Sequence, residues 1–134
     1  MNPIIAQQLE ALKGTYNGCP VDAASSPMPN GAYLVTIQNV PLPVGWNRQA
    51  ATILFVIPPG YPAAQPDCFW VEPGGLRLQN GGTPQASNDA NPIPGETAFR
   101  NTTWFSWHLQ SWNPNKDSLV TYFQVIKKRL DPAR

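Results

Sequence analysis

Ala50-Ala51-Thr52-Ile53-Leu54-Phe55-Val56-Ile57 runs directly into Pro58-Pro59-Gly60-Tyr61-Pro62. The first part is an almost unbroken apolar run, rich in β-branched and aromatic residues. It ends at a proline pair that cannot continue a sheet ladder. That pattern predicts a central strand, covered on both faces or on one face plus a partner. Upstream, Ala32-Tyr33-Leu34-Val35-Thr36-Ile37-Gln38 has strand composition, and Asn39 to Asn47, with Pro41, Pro43 and Gly45, reads as the connecting loop. Downstream, Cys68-Phe69-Trp70-Val71 reads as a third strand between Pro66 and Pro73, and Leu76-Arg77-Leu78 as a short fourth piece. Strands that follow one another over short connections predict an antiparallel meander.

The two ends of the chain read as helices. Asn2 suits an N-cap and Pro3 the first helical position. Ile5, Leu9 and Leu12 then recur at helical spacing, Ile4 widens the stripe, and Gly14 is the expected stop. The C-terminal helix is expected from about Asp117 to Leu130. Leu119, Tyr122, Phe123, Ile126 and Leu130 give the strongest periodic signal in the chain, and Asp131-Pro132 ends it. Asp117 suits its positive end, and Lys127, Lys128 and Arg129 its negative end. The stretch 15–30 is turn-rich. From Gln79 to Thr103 no periodicity is visible, and a long structureless segment in a compact domain is often functional. The expectation is an α+β fold over residues 1–134 as a single domain, with a meander of three to four strands and a helix from each terminus on one face.

Composition narrows the function. The 134 residues are 42% hydrophobic and 13% charged, with five Trp, four Tyr and five Phe. This is core-forming material and unlike a disordered, highly charged chain. Sixteen Pro and ten Gly mark many turns, below the ~25–30% level of low-complexity sequence. The net charge is +1, which gives no basic surplus for nucleic acid or for an anionic membrane surface. No apolar run is long enough for a membrane span, and no secretory leader is visible. Cys19 and Cys68 read as free thiols in a reducing cytoplasm. One His and two Cys make a protein-only zinc site improbable, and no cofactor is expected. Glycine pairs such as Gly74-Gly75 and Gly81-Gly82 lack the spacing and following helix of a phosphate loop.

Few residues can carry chemistry. Asp67 and Glu72 flank a strand too far apart to act as a pair, so a surface role is expected for both. His108 is the one imidazole. It is either an acid–base group or a half-buried ring among Trp104, Trp107 and Trp112, satisfied by a backbone carbonyl. Ser106 lies two residues away, though adjacency alone makes no nucleophile–base pair. Cys68 reads as a small core side chain, because no cation stands near it to activate the thiol. Cys19 sits in a loop without an activating neighbour. The Trp cluster either plugs the end of the sheet or serves as a binding anchor.

Tyr61-Pro62, with Pro66 four residues on between two apolar strands, resembles the core signature of the ubiquitin-conjugating enzyme (UBC) fold. Trp112-Asn113-Pro114 ahead of an amphipathic helix resembles the Trp-Ser/Thr-Pro of those enzymes, and the element order is similar over roughly residues 3–130. The Phe69-Trp70 strand and the segment Trp104-Phe105-Ser106-Trp107-His108 resemble the bacterial branch called prokaryotic family E. The chain departs from active conjugating enzymes in having no His-Pro-Asn. Counting back from Trp112 to where the family's cysteine stands reaches Trp104 and Thr103, so thioester chemistry carries over to no residue. The resemblance implies one of two roles. One is a non-catalytic UBC-like module that binds a ubiquitin-like protein or an activating enzyme. The other is a conjugating enzyme that carries the ubiquitin-like protein on a hydroxyl of Ser106, Thr103 or Thr102, with His108 assisting. A structural or interaction domain outside this chemistry is the third alternative. The resemblance points to Gln7, Gln8, Glu10 and Ala11 and to Tyr61 and Pro62 as partner-facing, and Trp104, Trp107 and Trp112 are the candidate anchors.

Overall fold

The computed structural model describes all residues, Met1–Arg134. The chain forms α1 (Pro3–Thr15), β1 (Val21–Ala23), β2 (Tyr33–Pro41), β3 (Ala50–Ile57), β4 (Phe69–Glu72), β5 (Ser87–Asn88), β6 (Thr103–Phe105) and α2 (Leu119–Leu130). The strands make one antiparallel sheet in the order β1-β2-β3-β4-β6-β5. The expected α+β architecture is therefore present, with six strands in place of three or four. β1 lies in the stretch read as turns, and β5 and the start of β6 lie in the stretch read as structureless. Leu76–Leu78 is not a strand, although Leu78 makes an isolated bridge to Trp46.

The helix ends follow local hydrogen bonding. The Asn2 side chain accepts from the Ile4 N–H, and the helix runs one residue past Gly14 to Thr15. In α2 the cap is Ser118 and not Asp117. Its hydroxyl accepts from the Thr121 N–H while the Thr121 hydroxyl accepts from the Ser118 N–H, which satisfies two otherwise orphaned donors. Asp117 instead accepts from the Asn113 N–H and closes the turn after Trp112.

Both helices cover one face of the sheet. Ile5, Leu9 and Leu12 of α1 and Leu119, Tyr122, Phe123, Ile126 and Leu130 of α2 join Val35, Ile37, Ile53, Phe55, Ile57, Phe69, Val71 and Phe105 in one core. The two helices meet where Tyr16 stands edge-on to Phe123, centroids 4.8 Å apart. The alternate residues of the central strands, Leu54 and Trp70, form a second cluster with Cys68 and Ile93. There the segment between β5 and β6 folds back over the sheet, and the Trp70 indole N–H donates to the Asn91 carbonyl at 3.0 Å. This explains why β3 reads as a continuous apolar run: both of its faces are covered.

Buried polar contacts tie distant parts together. The Gln8 Oε1 accepts from the Tyr61 hydroxyl and from the Leu119 N–H, linking α1, the Tyr61 turn and the start of α2. Trp46 donates its indole N–H to the Leu130 carbonyl at 2.8 Å. Arg129, at the basic end of α2, is 1% exposed. Its guanidinium lies 4.9 Å from the Phe105 ring and 5.5 Å from the Trp107 ring and donates to the carbonyls of Gln85 and Arg134. Burial, with Arg134 nearby, lowers its pKa to about 10.

Candidate functional site

The β4–β6 pairing builds the site. Phe69 stands opposite Phe105, Trp70 opposite Trp104 and Val71 opposite Thr103, and Phe69 and Phe105 stack at 4.8 Å with an interplanar angle of 4°. The antiparallel pairing continues past the strand ends with a one-residue slip, since the Cys68 N–H donates to the carbonyl of Trp107 and not of Ser106, at 3.0 Å. The residues before β4 are thereby brought beside those after β6. Ser106 is fixed on its other side, where its N–H donates to the Ala86 carbonyl.

Three side chains meet at this edge. His108 Nδ1 lies 2.6 Å from Asp67 Oδ1, and His108 Nε2 lies 3.2 Å from Ser106 Oγ. The His108 and Asp67 side chains are 63% and 56% exposed, so a reacting group can reach them. An ionised carboxylate only accepts hydrogen bonds, so Nδ1 carries the ring proton. In the neutral ring Nε2 is then a lone-pair acceptor facing the serine hydroxyl. The reading of His108 as a half-buried ring capped by a carbonyl is corrected, because its partners are two side chains and it is largely in solvent. Asp67 lies on the surface as expected, and there its carboxylate also holds the His108 imidazole. Asp67 is the member that reading missed, being 41 positions from His108 in sequence. The β4–β6 register carried on would set Asp67 opposite Trp107, and only the slip after Phe105 brings it to His108, so no sequence signal finds it.

Cys68 lies beside this triad and precedes β4, where the sequence had put it inside the strand. Its φ is 61°, in the left-handed region that costs a non-glycine residue. Both its backbone groups are held, the N–H by Trp107 and the carbonyl by the Tyr122 hydroxyl. The residue is 7% exposed, and burial raises the thiol pKa, with the Asp67 charge raising it further. It is not an activated thiolate. A cavity of about 350 Å³ adjoins it, walled by Val56, Pro58, Trp70, Trp104 and Pro92, with Asp67 also on its lining.

The remaining candidates are placed differently. Thr103 is fully buried; its hydroxyl donates to Asp89 Oδ1 at 2.6 Å and accepts from the Leu76 N–H at 3.1 Å. A hydroxyl so enclosed and so occupied is a structural group. Thr102 is buried too, at 5% exposure. Tyr61, expected to face a partner, is buried against α1, which pushes its phenol pKa well above the ordinary value. Pro62 gives its carbonyl to the Trp112 indole N–H at 2.8 Å, and the Trp112 ring lies 5.9 Å from that of Tyr61. Trp107 is half-buried between Arg129 and Arg134. Trp104, also half-buried, lines the cavity beside Cys68. Of the α1 residues, Gln7, Glu10 and Ala11 are exposed, while Gln8 is spent on the internal bridge.

A protein-family model described as Prokaryotic E2 family E matches residues 7–133, nearly the whole chain. The chain belongs to Prokaryotic E2 family E. Neither a curated protein nor a solved structure matches it. The E2-like resemblance read from Tyr61-Pro62, Trp112-Asn113-Pro114 and the element order is borne out at the level of this prokaryotic family. The helix–sheet–helix frame of this family E member presents Ser106, His108 and Asp67 at one open edge, and no helix is long and apolar enough to cross a membrane.

Proposed function

We propose that this family E protein acts as one UBC-like domain in a bacterial ubiquitin-like protein conjugation pathway of the cytoplasm, and that it carries the ubiquitin-like protein as an ester on Ser106. The single observation that supports this is the chain of contacts Asp67–His108–Ser106, open to solvent. A serine hydroxyl is a weak nucleophile and needs a positioned base, itself held by a third group. Nε2 of His108 takes the proton as Ser106 Oγ attacks the C-terminal carbonyl of the ubiquitin-like protein. That carbonyl arrives as a thioester on the activating enzyme. The C–S bond breaks, the O–C bond forms, and the departing thiolate receives the proton from the imidazolium. The cavity with Trp104 on its wall offers a resting place for the incoming chain, and Trp107 adjoins it through its bond to Cys68. No metal or redox cofactor is needed for this step.

Mixing the protein with its activating enzyme, the ubiquitin-like protein and ATP tests the reading. The expected product is an adduct that survives reducing thiol, is cleaved by hydroxylamine and disappears in Ser106→Ala. A complex with either partner that forms without any covalent adduct would instead make the chain a non-catalytic binding module. That second reading draws on the buried, unactivated state of Cys68.

A further inference from the structure

Asp67, Cys68 and His108 bring three different donor types to one point. A carboxylate oxygen, the thiol sulfur and an imidazole nitrogen lie within 4.8 Å of one another. We infer that these three residues form a binding site for a zinc-class divalent cation, with a fourth position open to water. Ligand bonds of about 2.0–2.3 Å in a tetrahedron set donor atoms about 3.3–3.7 Å apart. The widest pair therefore needs to close by only about 1 Å, while Asp67 Oδ1 and His108 Nδ1, 2.6 Å apart, give up their hydrogen bond and open by roughly as much. Asp67 and His108 are half-exposed and free to adjust, whereas Cys68 is held by hydrogen bonds at both its N–H and its carbonyl. Sulfur, imidazole and carboxylate together suit zinc and not magnesium or calcium, which take oxygen. The ion has a route in, because Cys68 and Asp67 both line the cavity beside Trp104. On binding, the thiol proton goes to solvent and the thiolate becomes a ligand. The sequence expectation of no metal site counted only one His and two Cys; the fold supplies Asp67 as the third ligand.

The site also has a consequence for the imidazole. The ion either takes Nε2 itself, which removes the acceptor that faces Ser106, or takes Nδ1 in place of the Asp67 hydrogen bond. In the second case the one proton of the neutral ring must sit on Nε2. Either way Nε2 can no longer accept the Ser106 proton. Metal and ester formation are therefore mutually exclusive, a consequence that rests on the transfer reading above, while binding itself does not.

The test is a titration of the metal-free full-length protein with Co²⁺, followed by displacement with Zn²⁺. One equivalent should bind and give the visible bands of a tetrahedral ion and the near-ultraviolet band of thiolate-to-cobalt charge transfer. Cys68→Ser should abolish the charge-transfer band, and His108→Gln and Asp67→Asn should each weaken binding by about tenfold or more. Cys19→Ser should leave the titration unchanged. No thiolate band in the unaltered protein, or a band that follows Cys19, overturns the proposal. Because Asp67 is half-exposed, Asp67→Asn keeps its fold and remains decisive even where Cys68→Ser unfolds, and unaltered affinity in it also overturns the site. If cobalt binds as expected but no Ser106 adduct ever forms in metal-free protein, the transfer reading falls and the metal site stands.

Discussion

Asp67→Asn keeps the size of the side chain but places an amide opposite Nδ1 of His108. An amide can donate as well as accept, so the ring is no longer held in the tautomer that leaves Nε2 free. Formation of the Ser106 ester in a single turnover should slow by about a hundredfold or more, within the ~10²–10⁴ that a positioned proton transfer supplies. The melting temperature should barely move, since the Asp67 side chain is 56% exposed and holds no other element in place. A large loss of Tm with no change in rate would mean that Asp67 is structural. At this scale the sequence exposed half of the site. Ser106 and His108 share one segment and were readable together. Asp67 enters through a strand pairing that no local pattern encodes, and Thr103 looked like an alternative hydroxyl because burial cannot be read from a polar residue in a loop-like stretch.

Gln8 shows how the elements are fastened together. Its side-chain oxygen serves two donors, the buried Tyr61 hydroxyl and the N–H of Leu119 in the first turn of α2. Gln8→Ala leaves both without that partner, and an unsatisfied buried group costs about 1–3 kcal/mol. Chemical denaturation should show a loss of that order with an unchanged m-value, and Gln7→Ala, on the exposed side of α1, should show almost none. α1, β3 and α2 were legible because each is long enough to display its period: the apolar stripe of a helix or the apolar run of a doubly covered strand. β1 and β5 were not. Three residues and two residues cannot display an alternation, and each exists because a neighbouring strand offers it hydrogen bonds.

Across the whole molecule, the segment between β4 and β6 is held by ion pairs and hydrogen bonds as well as by its buried Leu76 and Ile93. Asp89 pairs with Arg77 and accepts from Thr103 and from the Gly75 N–H, and Arg100 pairs with Glu72 and Glu96. The hydrogen bond from Arg77, helped by those from Thr103 and Gly75, holds the Asp89 carboxyl at about 2, below its ordinary value of 3.8. A lowered folded-state pKa means that this contribution to stability is fully present above about pH 4 and is lost as the pH falls toward 2. Asp89→Asn should therefore lower Tm by several degrees at neutral pH, with the gap to the unaltered protein closing between about pH 4 and pH 2 in a thermal melt series. A gap that stays constant across that range would remove Asp89 from the acid response. None of this order was visible in the sequence, because a polar segment fixed by ion pairs to distant residues has no period of its own.

The two outermost strands of the sheet carry a last implication. With three residues in β1 and two in β5, neither margin offers a ladder long enough for a visiting peptide to extend. A protein with so little surface charge is thereby spared the stacking of copies along their rims. Any guest polypeptide must then be recognised through its side chains and its reactive terminus, not through a borrowed row of backbone hydrogen bonds.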